Sequence, residues 1–338
     1  MKKIAVALAT IALLIGCTAC AKPMTEENGT PTAVNVYMPD GAPALGLAHL
    51  LATDTEDDGV NYRVVDAKLI ASKVTNQDAA KNADFCVMPL TAASKLLGSG
   101  EAYTMLGTVT NGNLYLLAKE GSYTKDNLAS LIGKKVGVLQ INEVPGLTLK
   151  AVLNKYGIAW QELTNDATMD TSKVNVVALE SAAAVGTVAA DCYMIAEPAA
   201  SVQVKKNGLT IAGSLQTLYS ENEGYPQAVL MVKNELLASR EEWVREFVER
   251  VAEAPEWLAT ASAETIVAAV GAHMDDPDAA TSLKAPMLSE DVIGRCGIYF
   301  EYAAAIKTAA NSLLEDLIAV NDKAAAMPSE AFYWTYQK

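Results

Sequence analysis

From Ala33 onward the chain alternates short runs of β-branched and aliphatic residues with stretches whose apolar positions recur every three or four residues. The pairs are Ala33 to Met38 then Ala44 to Ala52, Tyr62 to Val65 then Leu69 to Lys81, and Phe85 to Met88 then Thr91 to Leu97. Continuous apolar runs of that length suit buried strands and the periodic stretches suit helices, so β-α-β units around a parallel sheet are predicted. Tyr103 to Ala118 then reads as one or two extended segments crossing to a second body. There the pattern resumes: strands over Lys135 to Leu139, Asn175 to Leu179 and Cys192 to Ile195, with helices over Leu147 to Tyr156, Ser181 to Ala189 and Ala199 to Lys206. Gly157 and Asn207-Gly208 stand where such helices stop.

After Leu209 to Gly213 and a polar turn at Tyr219 to Gly224, the strand Gln227 to Val232 is expected to return to the first body. The remainder reads as helical. Arg240 to Ala254 sets Trp243, Phe247, Val248 and Val251 on one face and Glu241, Glu242, Arg245 and Glu249 on the other, and Pro255 limits it. Helices are also expected over Ser262 to Ala272, Ser289 to Tyr302 and Ala303 to Leu317, buttressing the first lobe. The fold class is therefore α/β with two lobes, 33–115 plus 225–338 and 116–224, a cleft between them at the strand ends, and C-terminal helices. A length of 338 residues exceeds what one core usually serves.

The start of the chain follows a different pattern. Lys2 and Lys3 precede an apolar run, Ile4 to Ile15, too short to remain in a bilayer, so residues 1–16 read as an export signal. Leu14-Ile15-Gly16-Cys17 resembles the bacterial lipobox, which implies cleavage before Cys17 and lipid on its new N-terminus; Cys20 is a second candidate. Residues 17–32, which contain Lys, Pro, Thr, Glu, Asn and Gly and almost no large apolar residues, read as the lipidated end and a flexible tether. An extracytoplasmic chain, held to the membrane through lipid alone, is the expectation. The formal charge of −14 argues against nucleic acid or an anionic surface as partner. Cys86, Cys192 and Cys296 lie far apart without metal-ligand spacing, and the two histidines, His49 and His273, are a poor basis for acid-base or metal chemistry. No catalytic residue, cofactor or metal is expected.

Four segments, in order, carry a family resemblance: Asp40-Gly41-Ala42-Pro43-Ala44-Leu45-Gly46-Leu47-Ala48, Val87-Met88-Pro89-Leu90-Thr91-Ala92-Ala93, Gly112-Asn113-Leu114-Tyr115 and Ala196-Glu197-Pro198. With the lipobox, they make the chain similar to the solute-binding lipoproteins of the nitrate, sulfonate, taurine and thiamine-pyrimidine group of ABC importers. The likeness runs from about Ala33 to the C-terminal Met327 to Tyr333. It implies a type II periplasmic-binding fold that delivers a small solute to permease and ATPase subunits; rotation of the lobes about the two crossing segments is expected to close the cleft on that solute, and a monomer is expected. The same fold also resembles pyrimidine-forming synthases, but the clustered histidines and cysteine-rich stretch of that pattern are missing here. A lipoprotein sensing ligand for a surface receptor is the other alternative.

Candidate ligand-binding residues follow from the loops. Asp40, Gly41, Ala42 and Pro43 end a strand and open a helix, leaving backbone N–H groups to face a cleft. Pro89, Leu90 and Thr91 repeat the arrangement, with Thr91 either a helix cap or a contact. Gln140 and Asn142 form the corresponding turn of the second lobe. Thr110, Asn111 and Asn113 lie on the crossing and either reach a ligand or satisfy hinge backbone. Glu180 and Glu197 follow short strands; Glu180 also suits the start of a helix. Tyr225 adds an aromatic face. With five arginines in the chain and none in these loops, acids, amides and tyrosines favour a neutral or cationic nitrogen compound over a strongly bound oxyanion.

Overall fold

The computed structural model describes residues 33–54, 59–164, 168–220 and 224–336. The signal, Cys17, Cys20 and the tether lie outside these residues. The strands in chain order are β1 (Val34–Pro39), β2 (Val60–Val65), β3 (Phe85–Pro89), β4 (Tyr103–Thr110), β5 (Leu114–Ala118), β6 (Lys135–Leu139), β7 (Trp160–Leu163), β8 (Val174–Leu179), β9 (Cys192–Ala196), β10 (Thr210–Ser214), β11 (Ala228–Lys233) and β12 (Ile298–Tyr302). They form two six-stranded sheets, ordered β12-β4-β11-β3-β1-β2 and β10-β5-β9-β6-β8-β7.

Both sheets follow one plan. Parallel strands β2, β1 and β3 correspond to β8, β6 and β9, and each sheet then takes one strand running the other way from across the junction. In the first sheet β11 pairs antiparallel with β3 and β4; in the second, β5 pairs antiparallel with β9 and β10. The chain thus passes between lobes at 111–113 and again between β10 and β11. Strands β4 and β5 are buried at every residue, as expected of sheets covered on both faces.

The helices are α1 (Ala42–Leu45), α2 (Ala48–Thr53), α3 (Leu90–Leu97), α4 (Val144–Lys155), α5 (Ala199–Asn207), α6 (Leu215–Tyr219), α7 (Asn234–Ser239), α8 (Glu241–Ala252), α9 (Ala254–Leu258), α10 (Ala263–Ala272), α11 (Glu290–Arg295) and α12 (Ala303–Val320). Helix α8 buries Val244, Phe247, Val248 and Val251, and Phe247 meets Phe85 of β3 with ring centroids 4.5 Å apart. That contact fixes α8 on the first sheet, the buttressing expected of the tail. Helix α12 spans the junction: it packs on β4 and on α4 of the second lobe, and the Tyr219 hydroxyl donates to Asp316 at 2.7 Å. Among the described residues no helix is long and apolar enough to cross a membrane.

Three expected helices are not formed as expected. Residues 69–81 give two short 3₁₀ turns, Ala67–Lys73 and Ala79–Lys81, because the polar stretch Thr75 to Asp78 breaks the apolar period and Asp78 caps the second turn. Over 181–189 only Ala182–Ala184 turns, since small residues provide no face worth burying and Gly186 sits at φ 82°. The segment 289–302 divides at Gly297: α11 precedes it, and the β-branched and aromatic run Ile298 to Tyr302 becomes β12, an edge strand beside β4. Strand β7 was not anticipated either; it pairs with β8 at the far edge.

His49 of α2 gives the lobe a pH dependence. It is 5% exposed and its Nε2–H donates to the Arg250 carbonyl at 2.6 Å, leaving Nδ1 buried without a partner. Burial holds the imidazole below its ordinary value, against the opposing pull of that carbonyl. A depressed histidine binds its proton in the unfolded chain before it does so in the native one, so stability falls as pH drops below about 6.5. We expect the melting temperature to decline from pH 7 to pH 5 and the decline to be shallower in His49→Gln, which keeps the donor and loses the titration.

Candidate functional site

The two lobes meet where the chain crosses between them, and amide side chains fix that crossing. Asn111 donates from its backbone N to the Gly297 carbonyl at 2.9 Å and from Nδ2 to the Tyr299 carbonyl at 2.8 Å. Asn113 donates from Nδ2 to the Glu197 carbonyl at 2.9 Å and accepts at Oδ1 from Gln227 Nε2 at 2.9 Å. Gln216 of α6 accepts the Leu114 N–H at 2.8 Å, and Thr110 Oγ1 accepts the Ala228 N–H at 3.1 Å. Side chains therefore replace the sheet ladder where the backbone leaves one sheet for the other, as buried peptide groups require.

Two glycines allow the close approach. Gly297 has φ 65°, and a Cβ there would stand 2.4 Å from the Gly112 carbonyl oxygen; Gly112 has φ 90°, and its Cβ would stand 2.5 Å from Gln216 Cγ. The α11–β12 turn can press on the crossing only because neither position carries a side chain.

That turn places Arg295 against the second lobe. Glu197, at the end of β9 and 2% exposed, accepts from Ser201 N at 3.0 Å and from Ser201 Oγ at 2.7 Å, satisfying a first-turn N–H of α5. Arg295 Nε donates to the same carboxylate at 2.7 Å and Nη2 donates to Ser201 Oγ at 2.9 Å, while the Tyr115 hydroxyl donates to the Arg295 carbonyl at 3.1 Å. The Glu197–Pro198 peptide bond is cis. An ion pair, one partner from each lobe, thus closes the wall of the junction.

Beside it lies a cavity of about 380 Å³ lined from the first lobe by Asn111, Glu290, Arg295 and Tyr299 and from the second by Tyr115 and Gln216. Small-molecule sites commonly enclose roughly 300–1,000 Å³. A larger cavity of about 590 Å³ lies between α4, α6 and α12, outside the strand-end junction. Burial pushes the Tyr115 phenol up to about 12, against a hydrogen bond from Gln216, and it also raises Tyr299. Burial likewise lifts the thiols of Cys86, Cys192 and Cys296 far above the range of a reactive thiolate. The site offers amide, hydroxyl, guanidinium and aromatic surface, which suits holding a molecule.

Of the residues expected from the sequence, Asn111 lines the cavity, and Asn113 and Glu197 build its supporting wall. Thr110 ties β4 to β11. Asp40 is taken up by the 281–282 loop, accepting from Thr281 Oγ1 and Ser282 N, each at 2.6 Å. Gly41, Ala42 and Pro43 start α1 as expected of that turn, and Pro89 stands at the cap of α3. Leu90 is buried and its N–H donates to the Gln227 carbonyl; Thr91 is also buried, in the first turn of α3. Gln140, with φ 57°, Asn142 and Glu180 are exposed at the strand ends of the second lobe. Tyr225 is buried beside the larger cavity, edge-on to Tyr219. Arg295, Gln216, Glu290 and Tyr299 were missed. Arginine is present at the junction after all, because the helix read over 289–302 hid the turn that delivers Arg295.

Two α/β lobes on the same strand plan, joined by two crossings with a cavity at the junction, define the two-lobed periplasmic-binding-protein class. More specifically, the chain belongs to the NMT1/THI5-like family, whose model matches residues 65–264. An ABC transporter protein from Parabacteroides distasonis superposes with a TM-score of 0.69 at 19% identity, over 90% of this chain and 100% of its own. The periplasmic aliphatic sulphonate-binding protein SsuA from Escherichia coli gives 0.64 at 15%, over 90% and 92%. The alkanesulfonate-binding protein SsuA from Xanthomonas axonopodis pv. citri, solved bound to MOPS, gives 0.59 at 12%, over 90% and 99%. At such identities the likeness is one of fold. Among proteins with curated descriptions, none matches this chain.

Proposed function

We propose that this chain is the extracytoplasmic solute-binding component of an ABC importer, capturing a small polar solute and delivering it to a permease with its ATPase. The observation that carries this reading is the solute-sized cavity whose two sides come from different lobes, bridged by Arg295 and Glu197. Opening the lobes would expose the cavity, and a solute touching both sides would favour the closed form. Family membership and the sulfonate-binding roles of the two SsuA proteins of like fold support the same reading.

In this proposal the second lobe, which starts at Leu114 and not at residue 116 because Leu114 and Tyr115 of β5 already pair with β9, moves against the first lobe, the chain works as a monomer, and Cys17 carries the lipid that keeps it at the outer face of the cell membrane. The mass of the mature N-terminus checks the last point. Binding without turnover is favoured over catalysis by the buried thiols and by the histidines, since both His49 and His273 are committed to backbone carbonyls. The solute is either nitrogen-containing or sulfonate-like. A thermal-shift panel of pyrimidines, amines, sulfonates and nitrate tests the reading: a member at 100 times its Kd should add about 2.7 kcal/mol to stability. A panel in which no compound raises the melting temperature contradicts it.

A further inference from the structure

A buried lysine of the second lobe is committed to one turn, and the role inferred for it rests on the binding function proposed above. Lys150 of α4 is 2% exposed. Its side chain reaches back along the helix, where Nζ donates to the Ile141 carbonyl at 2.9 Å and to the Glu162 carboxylate of β7, with the Trp160 ring centroid 5.2 Å away. A buried ammonium group is costly unless it is well partnered, and one of these partners is the turn that joins β6 to α4.

That turn is strained and tightly wound. Gln140 has φ 57°, alone among the described non-glycine residues in a left-handed conformation. Its carbonyl accepts the N–H groups of Glu143 at 3.0 Å and of Gly146 at 3.3 Å. A Cβ at residue 146 would stand 2.1 Å from the Ile141 carbonyl oxygen, so the glycine leaves room for the carbonyl that Lys150 grips.

The turn stands at the edge of the second lobe that meets the first. Strand β6 runs parallel to β9 with Val138 opposite Met194, which sets Gln140 level with Ala196, next to the Glu197 that pairs with Arg295 of the first lobe. In open α/β sheets small molecules bind beyond the carboxyl ends of the strands. There Gln140 and Asn142 present exposed amides, and among the described residues neither side chain has a hydrogen-bond partner.

We propose that Lys150 is a positioning residue for solute binding: through the Ile141 carbonyl it holds the turn in the shape that presents Gln140 and Asn142 to a solute as the lobes close on it.

Lys150→Met in the full chain tests this by hydrogen exchange and by calorimetric titration. The probes are 4-aminopyrimidine, taurine, methanesulfonate and nitrate, and the tightest binder to the wild type is carried through the variants. Glu162 has 40% of its side chain exposed, so no charge is stranded in the interior and the variant should melt close to the wild type. The amides of Glu143 and Gly146 should exchange roughly tenfold faster, and probe affinity should fall about tenfold as the turn loses its preorganised shape. Gln140→Ala with Asn142→Ala should lose as much, and adding Lys150→Met to that pair should lose no more, because the lysine acts through those amides. A lysine that merely stabilised the lobe would leave the probe affinity of the folded protein unchanged. Should Lys150→Met fail to fold, Lys150→Met with Glu162→Leu, an apolar pair in place of the ion pair, takes its place in each measurement. Unchanged exchange at Glu143 and Gly146, wild-type affinity in the lysine variant or in the Gln140→Ala, Asn142→Ala pair, or losses that add on combination overturn the proposal while leaving the solute-binding role intact. Absence of binding by all the probes counts against both.

Discussion

Arg295→Ala is expected to destabilise the protein by about 3 kcal/mol, at the low end of the range for removing one partner of a buried ion pair. Glu197 has no exposed side-chain surface, so its carboxylate would stay in the interior with only Ser201 to stabilise it. The two Ser201 bonds and the start of α5 keep the cost from reaching the top of that range. The cost comes mainly from the stranded charge, so Arg295→Ala combined with Glu197→Gln should recover most of the loss. Chemical denaturation of the wild type, the single variant and the double variant separates the cases. A single variant as stable as the wild type would show that the pair does not join the lobes. Solute affinity should fall in both variants, because the guanidinium is missing from the cavity in each.

Gly297→Val should be comparably damaging, by about 3 kcal/mol or more, for a different reason. The residue combines a left-handed backbone with a position where even a Cβ would meet the Gly112 carbonyl at 2.4 Å. A branched side chain must move either the α11–β12 turn or the crossing itself, and the crossing is locked by Asn111, Asn113 and Gln216. Gly294→Ala, in the last turn of α11 just before it, is the control. Nothing lies within 4 Å of its Cβ position and its φ is not left-handed, so its melting temperature should stay level or rise slightly. If Gly297→Val melts with the wild type, the close approach at the junction has no energetic weight.

Much of the fold was legible because its signals are local. The runs at Val34, Phe85, Lys135 and Cys192 are short and apolar, and each is closed within a few residues by a turn or a helix start. The return of Ala228 to Lys233 to the first sheet could be read for the same reason, from an apolar run behind a polar turn. The edge strands β7 and β12 were harder, since half-exposed strands with Gln and Glu among aromatics do not show a clean period.

The cavity was legible only in part, and sequence distance is the cause. Asn111 was recognised because it stands on the crossing, yet the carbonyl that orients it belongs to Tyr299, 188 residues away. Arg295 finds Glu197 across 98 residues. No local period reports such a pairing. The cue in the sequence was Gly294 and Gly297 bracketing Arg295 ahead of Ile298 to Tyr302, a pattern that ends a helix and starts a strand. Loops such as Gln140 to Asn142 were readable as turns, but the polar side chains of Gln140 and Asn142 remain exposed at the strand ends.

Small-angle X-ray scattering of the full chain, with and without the solute that most raises its melting temperature, tests the central claim most directly. A two-lobed trap closing at its junction predicts a smaller radius of gyration at saturation, with no change in molecular mass. An identical scattering profile in both states, under conditions where titration shows the site filled, would contradict closure of the lobes on the solute.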